Sequence, residues 1–215
     1  MFNLSTPILI TRLITLVIAF TVHEFSHAYV ATAFGDDTAR LNGRLTLNPL
    51  KHLDLLGSVL LLSVGFGWAK PVPINPAVLR EKSRFATMWV SVAGPLSNFF
   101  LAAIAALPIR FGLVNQTGNG SMFPSIYTFL INFIAINLLL LVFNLIPLAP
   151  LDGEKVIEAF VPESVRGVFD AIRPYGSIIL IALVFALPMI GIDVFQQYMI
   201  PVVQFLIKIL LGATI

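Results

Sequence analysis

The sequence predicts an all-α polytopic membrane protein with about five transmembrane helices, a re-entrant segment and a small β-hairpin or sheet insert. Of its 215 residues, 58% are hydrophobic and 11% are charged, whereas soluble domains carry about 25% charged residues. Several apolar segments reach the roughly 20 residues that a helix needs to cross a bilayer. No long polar stretch separates them, so residues 1–215 are expected to form one membrane-embedded domain.

The candidate spans follow one another along the whole chain. They are residues 7–34, 85–109, 126–148, 175–190 and 194–211. The first apolar run is too long for a signal peptide and is expected to be retained. A catalytic core of about residues 7–155 would precede accessory helices in about 175–212, which could be scaffold or a lateral gate. The net charge of only +2 argues against nucleic acid as a partner. The absence of cysteine excludes a thiolate metal site.

A shorter apolar segment, residues 53–68, decides the topology. If it dips into the membrane and returns, eleven of the thirteen Lys and Arg residues lie on one face, Lys208 among them. Only Arg12 and Arg110 then lie on the other face. The positive-inside rule makes the basic face cytoplasmic. The sequence therefore predicts a re-entrant path, with an external N-terminus and a cytoplasmic C-terminus, although a spanning path stays open.

Between residues 39 and 76 the pattern is not helical. Asn42-Gly43 is a turn signal that precedes alternating apolar residues. Pro71 and Pro73 stand at alternate positions, which is typical of an edge strand because proline cannot donate to a ladder. The backbone groups of Val72 and Ile74 would remain free to bind an extended substrate by strand addition. The alternative is that the prolines only shape a tight return to the surface.

The sequence His23-Glu24-Phe25-Ser26-His27 carries the main chemical signal. Positions i and i+4 of a helix share one face, so both imidazoles can bind one zinc ion. Glu24 can then act as general base on water activated by the metal. Each ionisable group inside a bilayer costs about 2.5–3.5 kcal/mol on insertion scales, and a bound zinc ion would offset that cost. A polar helix face satisfied by neighbouring helices is the structural alternative.

A catalytic zinc site usually has three protein ligands and one open position. His52 lies in a loop, whereas Asp152 follows the fourth predicted span. Pro147 and Pro150 could fold the chain inward and bring Asp152 to the level of the two histidines. From spacing alone, Asp152-Gly153 is equally well read as an ordinary turn at a helix end.

Five motifs resemble the site-2 protease family of intramembrane zinc metalloproteases, in its small prokaryotic form without PDZ-like or CBS-like domains. They are HEFSH at 23–27, GRLTLNPLKHLD at 43–54, GWAKPVPINP at 67–76, AGPLSN at 93–98 and NLIPLAPLDG at 144–153. The resemblance implies that His23, His27 and Asp152 bind one zinc ion and that Glu24 is the catalytic base. It also implies that Asn144 binds substrate or stabilises the oxyanion.

Asn98 is a further candidate for contact with substrate or the oxyanion, but Gly94 and Pro95 beside it suggest simple helix packing. The expected activity is hydrolysis of peptide bonds within or near transmembrane segments of membrane proteins. The expected location is the inner membrane of a prokaryotic cell, with the active site toward the cytoplasm. A homo-oligomer stays open. The rival function is a metal-ion or proton transporter that uses the same His/Glu/Asp cluster.

Overall fold

The computed structural model describes residues 6–54, 57, 68–116 and 123–212, apart from the side chain of Glu163. These residues form a bundle of helices joined by short turns. The helices are α1 (Thr6–Ala33), α2 (Thr38–Leu41), α3 (Pro76–Lys82), α4 (Ala86–Arg110), α5 (Ile126–Asn144), α6 (Asp152–Glu158), α7 (Ser164–Met189) and α8 (Phe195–Leu211). A 3₁₀ turn at Pro49–Lys51 precedes α3.

Helix ends follow local sequence signals. The Asn75 side chain accepts a hydrogen bond from Ala77 N–H at the start of α3, where Pro76 needs no partner for its nitrogen. Ser125 caps α5 in the same way. The π-helical turns Ala182–Ala186 and Phe195–Met199 are each followed by a proline, which cannot donate to the carbonyl of the preceding turn.

Helices α1, α4 and α5 form the centre of the bundle and run antiparallel to their neighbours in sequence. His27 of α1 contacts Val90 of α4, and the earlier His23 contacts the later Asn98. An apolar cluster joins α4, α5 and α8 at the opposite end of the bundle from the histidines. It consists of Ala102, Ala106, Ile134, Leu138, Val203 and Leu211. The basic loops before α4 therefore lie at the histidine end.

Four helices, α1, α4, α5 and α7, are long and apolar enough to cross a membrane. The chain is thus an integral membrane protein by the length and composition of these helices. The expected five spans are corrected to four plus a shorter apolar helix, α8, in the described part of the chain. The predicted break at Gly191 is present, but Phe195–Leu211 is shorter than the roughly 20 residues of a typical span.

The predicted β-hairpin or sheet insert is wrong for the described residues of 39–76, which contain α2, a 3₁₀ turn, α3 and no strand. One isolated bridge joins Leu53 and Ala69. Lys70 N–H donates to the carbonyl oxygen of His52 at 2.7 Å next to this bridge. Among the described residues no strand continues beyond it, and side chains of Arg44, Glu24 and Asp36 bind backbone groups of Lys70, Pro71, Val72 and Asn75. The predicted re-entrant turn falls on residues 55–56 and 58–67, outside the described part, although the bridge places its two ends side by side.

The C-terminal end of α8 lies at the end of the bundle opposite to the histidines. The sequence predicts it on the same side as the basic loops. Arg110, at the end of α4, donates hydrogen bonds of 3.0 Å to the carbonyl oxygens of Ile209 and Leu210. The ring centroid of Phe195, at the start of α8, lies 5.7 Å from the ring centroid of Phe143, which is at the histidine end. Lys208 therefore belongs with Arg110 and not with the basic loops. Ten Lys and Arg residues are then assigned to the histidine end of the bundle and three to the other end.

Candidate metal centre

Helix α1 carries His23, Glu24 and His27 into the interior of the bundle. Their exposed fractions are 6%, 8% and 8%. The helical spacing puts both imidazole rings on the same side, with ring centroids 4.6 Å apart. Apolar helix surrounds them, so three polar side chains are concentrated where hydration cannot stabilise them. This arrangement requires a partner for the ring nitrogens.

Asp152, the first residue of α6, supplies that partner. Its Oδ2 lies 3.2 Å from Nε2 of His23 and 3.3 Å from Nε2 of His27. The two Nε2 atoms are 3.0 Å apart. Nitrogen and oxygen ligands at about 2.0–2.1 Å around tetrahedral zinc are separated by about 3.3 Å. The triangle therefore has the edges that one zinc ion needs, with the fourth coordination position left open.

A turn with close backbone contacts brings Asp152 to this place. The turn joins the end of α5 at Asn144 to the start of α6. A Cβ on Gly153 would collide with the carbonyl oxygens of Leu145 and Ile146. The turn thus places the Asp152 carboxyl beside both Nε2 atoms, where in its ionised form it can serve as a metal ligand.

Hydrogen bonds on the far side of each imidazole orient the two rings. His23 Nδ1 lies 2.7 Å from Oδ1 of Asn98, whose Nδ2 donates to Oδ1 of Asn137 at 3.0 Å. His27 Nδ1 donates to the carbonyl oxygen of Val90 at 2.6 Å. Both Nδ1 atoms therefore carry the proton, and both Nε2 lone pairs point to the space beside Asp152. Such contacts fix the tautomer of metal-binding histidines in known sites.

The space between α1 and α4 admits no larger residue than glycine at position 94. A Cβ there would lie 2.5 Å from Nε2 of His23 and would collide with Nε2 of His27. Gly94 is buried, as are Asn98 and Ser91 on the same helix. The absence of a side chain at Gly94 is therefore what lets the two rings sit against α4.

Glu24 faces a cavity of about 510 Å³ that also contains the His23, His27 and Asp152 side chains. Its Oε2 accepts a hydrogen bond of 3.1 Å from Val72 N–H. The cavity wall is mainly apolar and comes from α1, α4, α5, α7 and the segment 68–74. A metal-binding triangle with a carboxylate beside it, in an apolar cavity, can promote hydrolysis of a substrate that is itself apolar.

Sequence comparison decides the family. Over 175 residues, which are 79% of this chain, it is 48% identical to YwhC of Bacillus subtilis, provisionally named a zinc metalloprotease, and it covers 78% of YwhC. The chain belongs to the site-2 protease family of zinc metalloproteases. Rip2 of Mycolicibacterium smegmatis, provisionally named likewise, is 34% identical over 75% of the chain and 61% of Rip2. Zinc metalloprotease MJ0392 of Methanocaldococcus jannaschii is 25% identical over 68% of the chain and 33% of that protein.

No family model and no solved structure matches the chain. The family assignment therefore rests on curated relatives and agrees with the buried His23, His27 and Asp152 cluster. The donor set of two imidazoles and one carboxylate is one of the sets used by catalytic zinc. This site-2 protease is a zinc enzyme. Its described residues contain one group of side chains that could hold the metal.

The other predicted site residues fall into two groups in this site-2 protease. Asn144, Val72 and Ile74 line the cavity. Asn98 is fully buried behind His23 and is not among the residues that line the cavity. Contact with substrate would require its amide to leave three hydrogen bonds. His52, the other candidate third ligand, is fully buried elsewhere and donates to the carbonyl oxygen of Thr46 at 2.6 Å.

Several residues of the site were not found from the sequence. Asn137 completes the hydrogen-bond chain behind His23, and a lone asparagine in a strongly apolar helix was the available signal. Ser177 and Leu180 bring the C-terminal helix α7 into the cavity wall. Lys155 also lines the cavity, one helical turn after Asp152. Arg44 contacts the segment that binds Glu24.

Proposed function

We propose that this protein is an intramembrane protease that hydrolyses peptide bonds within or near transmembrane segments of membrane proteins. His23, His27 and Asp152 hold the zinc ion, and Glu24 is the general base. The observation that carries the proposal is the triangle of three ligand atoms, with Glu24 in the same cavity. His23, Glu24 and His27 lie on α1, a helix long enough to span a bilayer. No observation favours the transporter that the sequence left open.

Zinc bound at this triangle supplies a Lewis acid that polarises the scissile carbonyl and makes water acidic enough to lose a proton near neutral pH. Glu24 takes that proton through its carboxylate and passes it to the leaving amine nitrogen. Asn98 and the Val90 carbonyl hold the two imidazoles in one tautomer throughout. The apolar cavity wall limits access of bulk water, which strengthens each electrostatic contact inside.

Asn144 is proposed to bind the substrate carbonyl. Its Nδ2 donates one hydrogen bond, of 2.9 Å, to the carbonyl oxygen of Leu140. An amide nitrogen has two hydrogens, so within the described part of the chain one donor of this cavity-lining residue remains unused. A donor in that position can stabilise negative charge that develops on a carbonyl oxygen.

The test is cleavage of a reconstituted model transmembrane substrate by the purified full-length protein. We expect cleavage that stops when zinc is chelated and returns when zinc is added back. The product ends, located by mass spectrometry, are expected within or next to the apolar segment of the substrate. Cleavage that is indifferent to chelation, or no cleavage of any transmembrane substrate, would contradict the proposed function.

Substrate binding is proposed at the edge formed by Val72 and Ile74. Val72 N–H is already bonded to Glu24. The Val72 carbonyl and both backbone groups of Ile74 have no hydrogen-bond partner in the described part of the chain. Val72 and Ile74 both line the cavity of the active site, so these backbone groups can pair there with an extended peptide.

Ile74→Pro is expected to raise KM for a helical transmembrane substrate about ten-fold while zinc stays bound. The substitution removes one donor of the free edge and leaves the bond between Val72 and Glu24 in place. Val72→Pro would be a poorer test because it also removes the donor to Glu24. Ile74→Ala is the matched control, since it shortens the side chain and keeps the N–H. Equal KM values for Ile74→Pro and Ile74→Ala would refute strand addition at this edge.

The proposed location is the inner membrane of a prokaryotic cell, with the metal centre toward the cytoplasm. The support is the concentration of basic residues at the end of the bundle that carries the centre. Because the chain has no cysteine, single cysteines can report the topology. Cysteine at Asp37 or Lys82 is expected to be shielded from an impermeant reagent added to whole cells, and cysteine at Gln116 is expected to react. The reverse pattern would invert the orientation.

A further inference from the structure

Arg44 is a buried guanidinium without a carboxylate partner among the described residues. Only 5% of its surface is exposed, and its Nε has no hydrogen-bond partner. Burial lowers the pKa of Arg44, and the charge of Glu24 opposes that decrease. A buried charge that lacks a neutralising contact is costly. We therefore expect the role of Arg44 to lie in the two hydrogen bonds that its guanidinium makes.

Both bonds go to consecutive carbonyl oxygens of the segment that lines the cavity. Arg44 Nη1 donates to the carbonyl of Pro71 at 3.1 Å, and Nη2 donates to the carbonyl of Lys70. The next residue along the chain is Val72, whose N–H donates to Glu24. The Pro71 carbonyl and the Val72 N–H belong to the same peptide unit. The planar fork of the guanidinium therefore holds that unit, which carries the donor to the proposed base, and the unit before it.

The other end of the same segment is held independently. Asp36, which is 1% exposed, accepts a hydrogen bond of 2.6 Å from Asn75 N–H. Burial raises the pKa of Asp36, but hydrogen bonds from Thr38 and Asn75 outweigh it and lower the pKa overall. The carboxylate is thus a charged anchor. The start of the segment is also held, because Lys70 N–H donates to the carbonyl oxygen of His52 at 2.7 Å. Loss of Arg44 would therefore release the Pro71–Val72 peptide unit between two fixed points.

We infer that Arg44 is a positioning residue of the protease, which holds the Lys70 and Pro71 carbonyls so that Val72 N–H binds and orients Glu24. The inference rests on the proposed role of Glu24 as general base. It assigns to Arg44 an effect on turnover that is distinct from zinc binding, because Arg44 contacts none of the ligand residues. It also explains why arginine stands here, since a lysine ammonium cannot reproduce the fixed two-donor fork.

Arg44→Lys tests the inference in the full-length, zinc-loaded protein. We expect kcat to fall about ten- to a hundred-fold, as misplacement of a catalytic group by a fraction of an ångström does. KM is expected to stay within about three-fold, with zinc at one per chain. Exchange of the Val72 amide hydrogen, followed by mass spectrometry, is expected to accelerate. Arg40→Lys is the matched control, because the Arg40 side chain is exposed and, among the described residues, pairs with Asp37 alone.

The outcomes separate this inference from the proposed function. If Glu24→Gln cleaves like the wild type, the proposed function fails and the inference fails with it. If Glu24→Gln is inactive while Arg44→Lys keeps its kcat, only the inference fails. A raised KM at unchanged kcat would assign Arg44 to substrate binding and overturn the inference. Arg44→Gln, which keeps one donor nitrogen in place of the two-nitrogen fork, is the second variant. Failure of both variants to fold would leave Arg44 a purely structural residue and overturn the inference.

Discussion

Glu24→Gln is expected to reduce cleavage by about 10²–10⁴-fold, the usual contribution of a general base, while the protein keeps its zinc. Glutamine has the shape of glutamate, and its amide oxygen can still accept the hydrogen bond from Val72 N–H. The three ligand atoms belong to other residues, so the metal-binding triangle is unchanged. The loss would therefore isolate proton transfer from zinc binding and from the fold.

The measurement combines metal analysis with cleavage of a transmembrane substrate in lipid. Glu81→Gln is a suitable control because Glu81 is exposed on α3, and it should behave like the wild type. Wild-type rates in Glu24→Gln would require another base in the cavity. Loss of zinc from Glu24→Gln would mean that this carboxylate supports the metal centre, and the assignment of roles would have to change.

Gly94→Ala is expected to remove both zinc binding and cleavage. The added methyl group would occupy the place of the two Nε2 atoms that face the metal position. Neither ring can withdraw easily, because Asn98 and the Val90 carbonyl hold them from behind. Loss of a hydrogen-bond partner behind a metal ligand already costs about 10–100-fold in metal affinity. A collision with the ligand atoms themselves is more severe, so we expect at least about a 100-fold weaker zinc affinity.

Gly167→Ala is the matched control for this substitution. Gly167 is also helical, and a Cβ built there would meet no atom within 4 Å. Alanine is favoured over glycine in a helix by about 1 kcal/mol, so this variant should be as stable as the wild type or more so, with full zinc and activity. Full zinc occupancy in Gly94→Ala, measured beside Gly167→Ala, would show that α1 and α4 can separate without loss of the site.

The membrane class and the chemistry of the centre were accessible from sequence because they depend on local composition and spacing. Apolar segments of span length predict membrane helices irrespective of how they pack. The spacing of His23 and His27 places both rings on one helix face without reference to any other element. Glu24 follows from the same five residues. These inferences need only the geometry of a single helix.

Only the tertiary structure decided which distant groups meet that helix. Asp152 lies beside the histidines and His52 does not, because the turn after α5 folds back over α1. Asn98 lies behind His23, which follows from the register of α4 against α1. The expected strand is absent from the described residues, and side chains of Arg44, Glu24 and Asp36 instead bind backbone groups of Lys70, Pro71, Val72 and Asn75. Such contacts join residues 26 to 129 positions apart, and their energies depend on packing that no local pattern records.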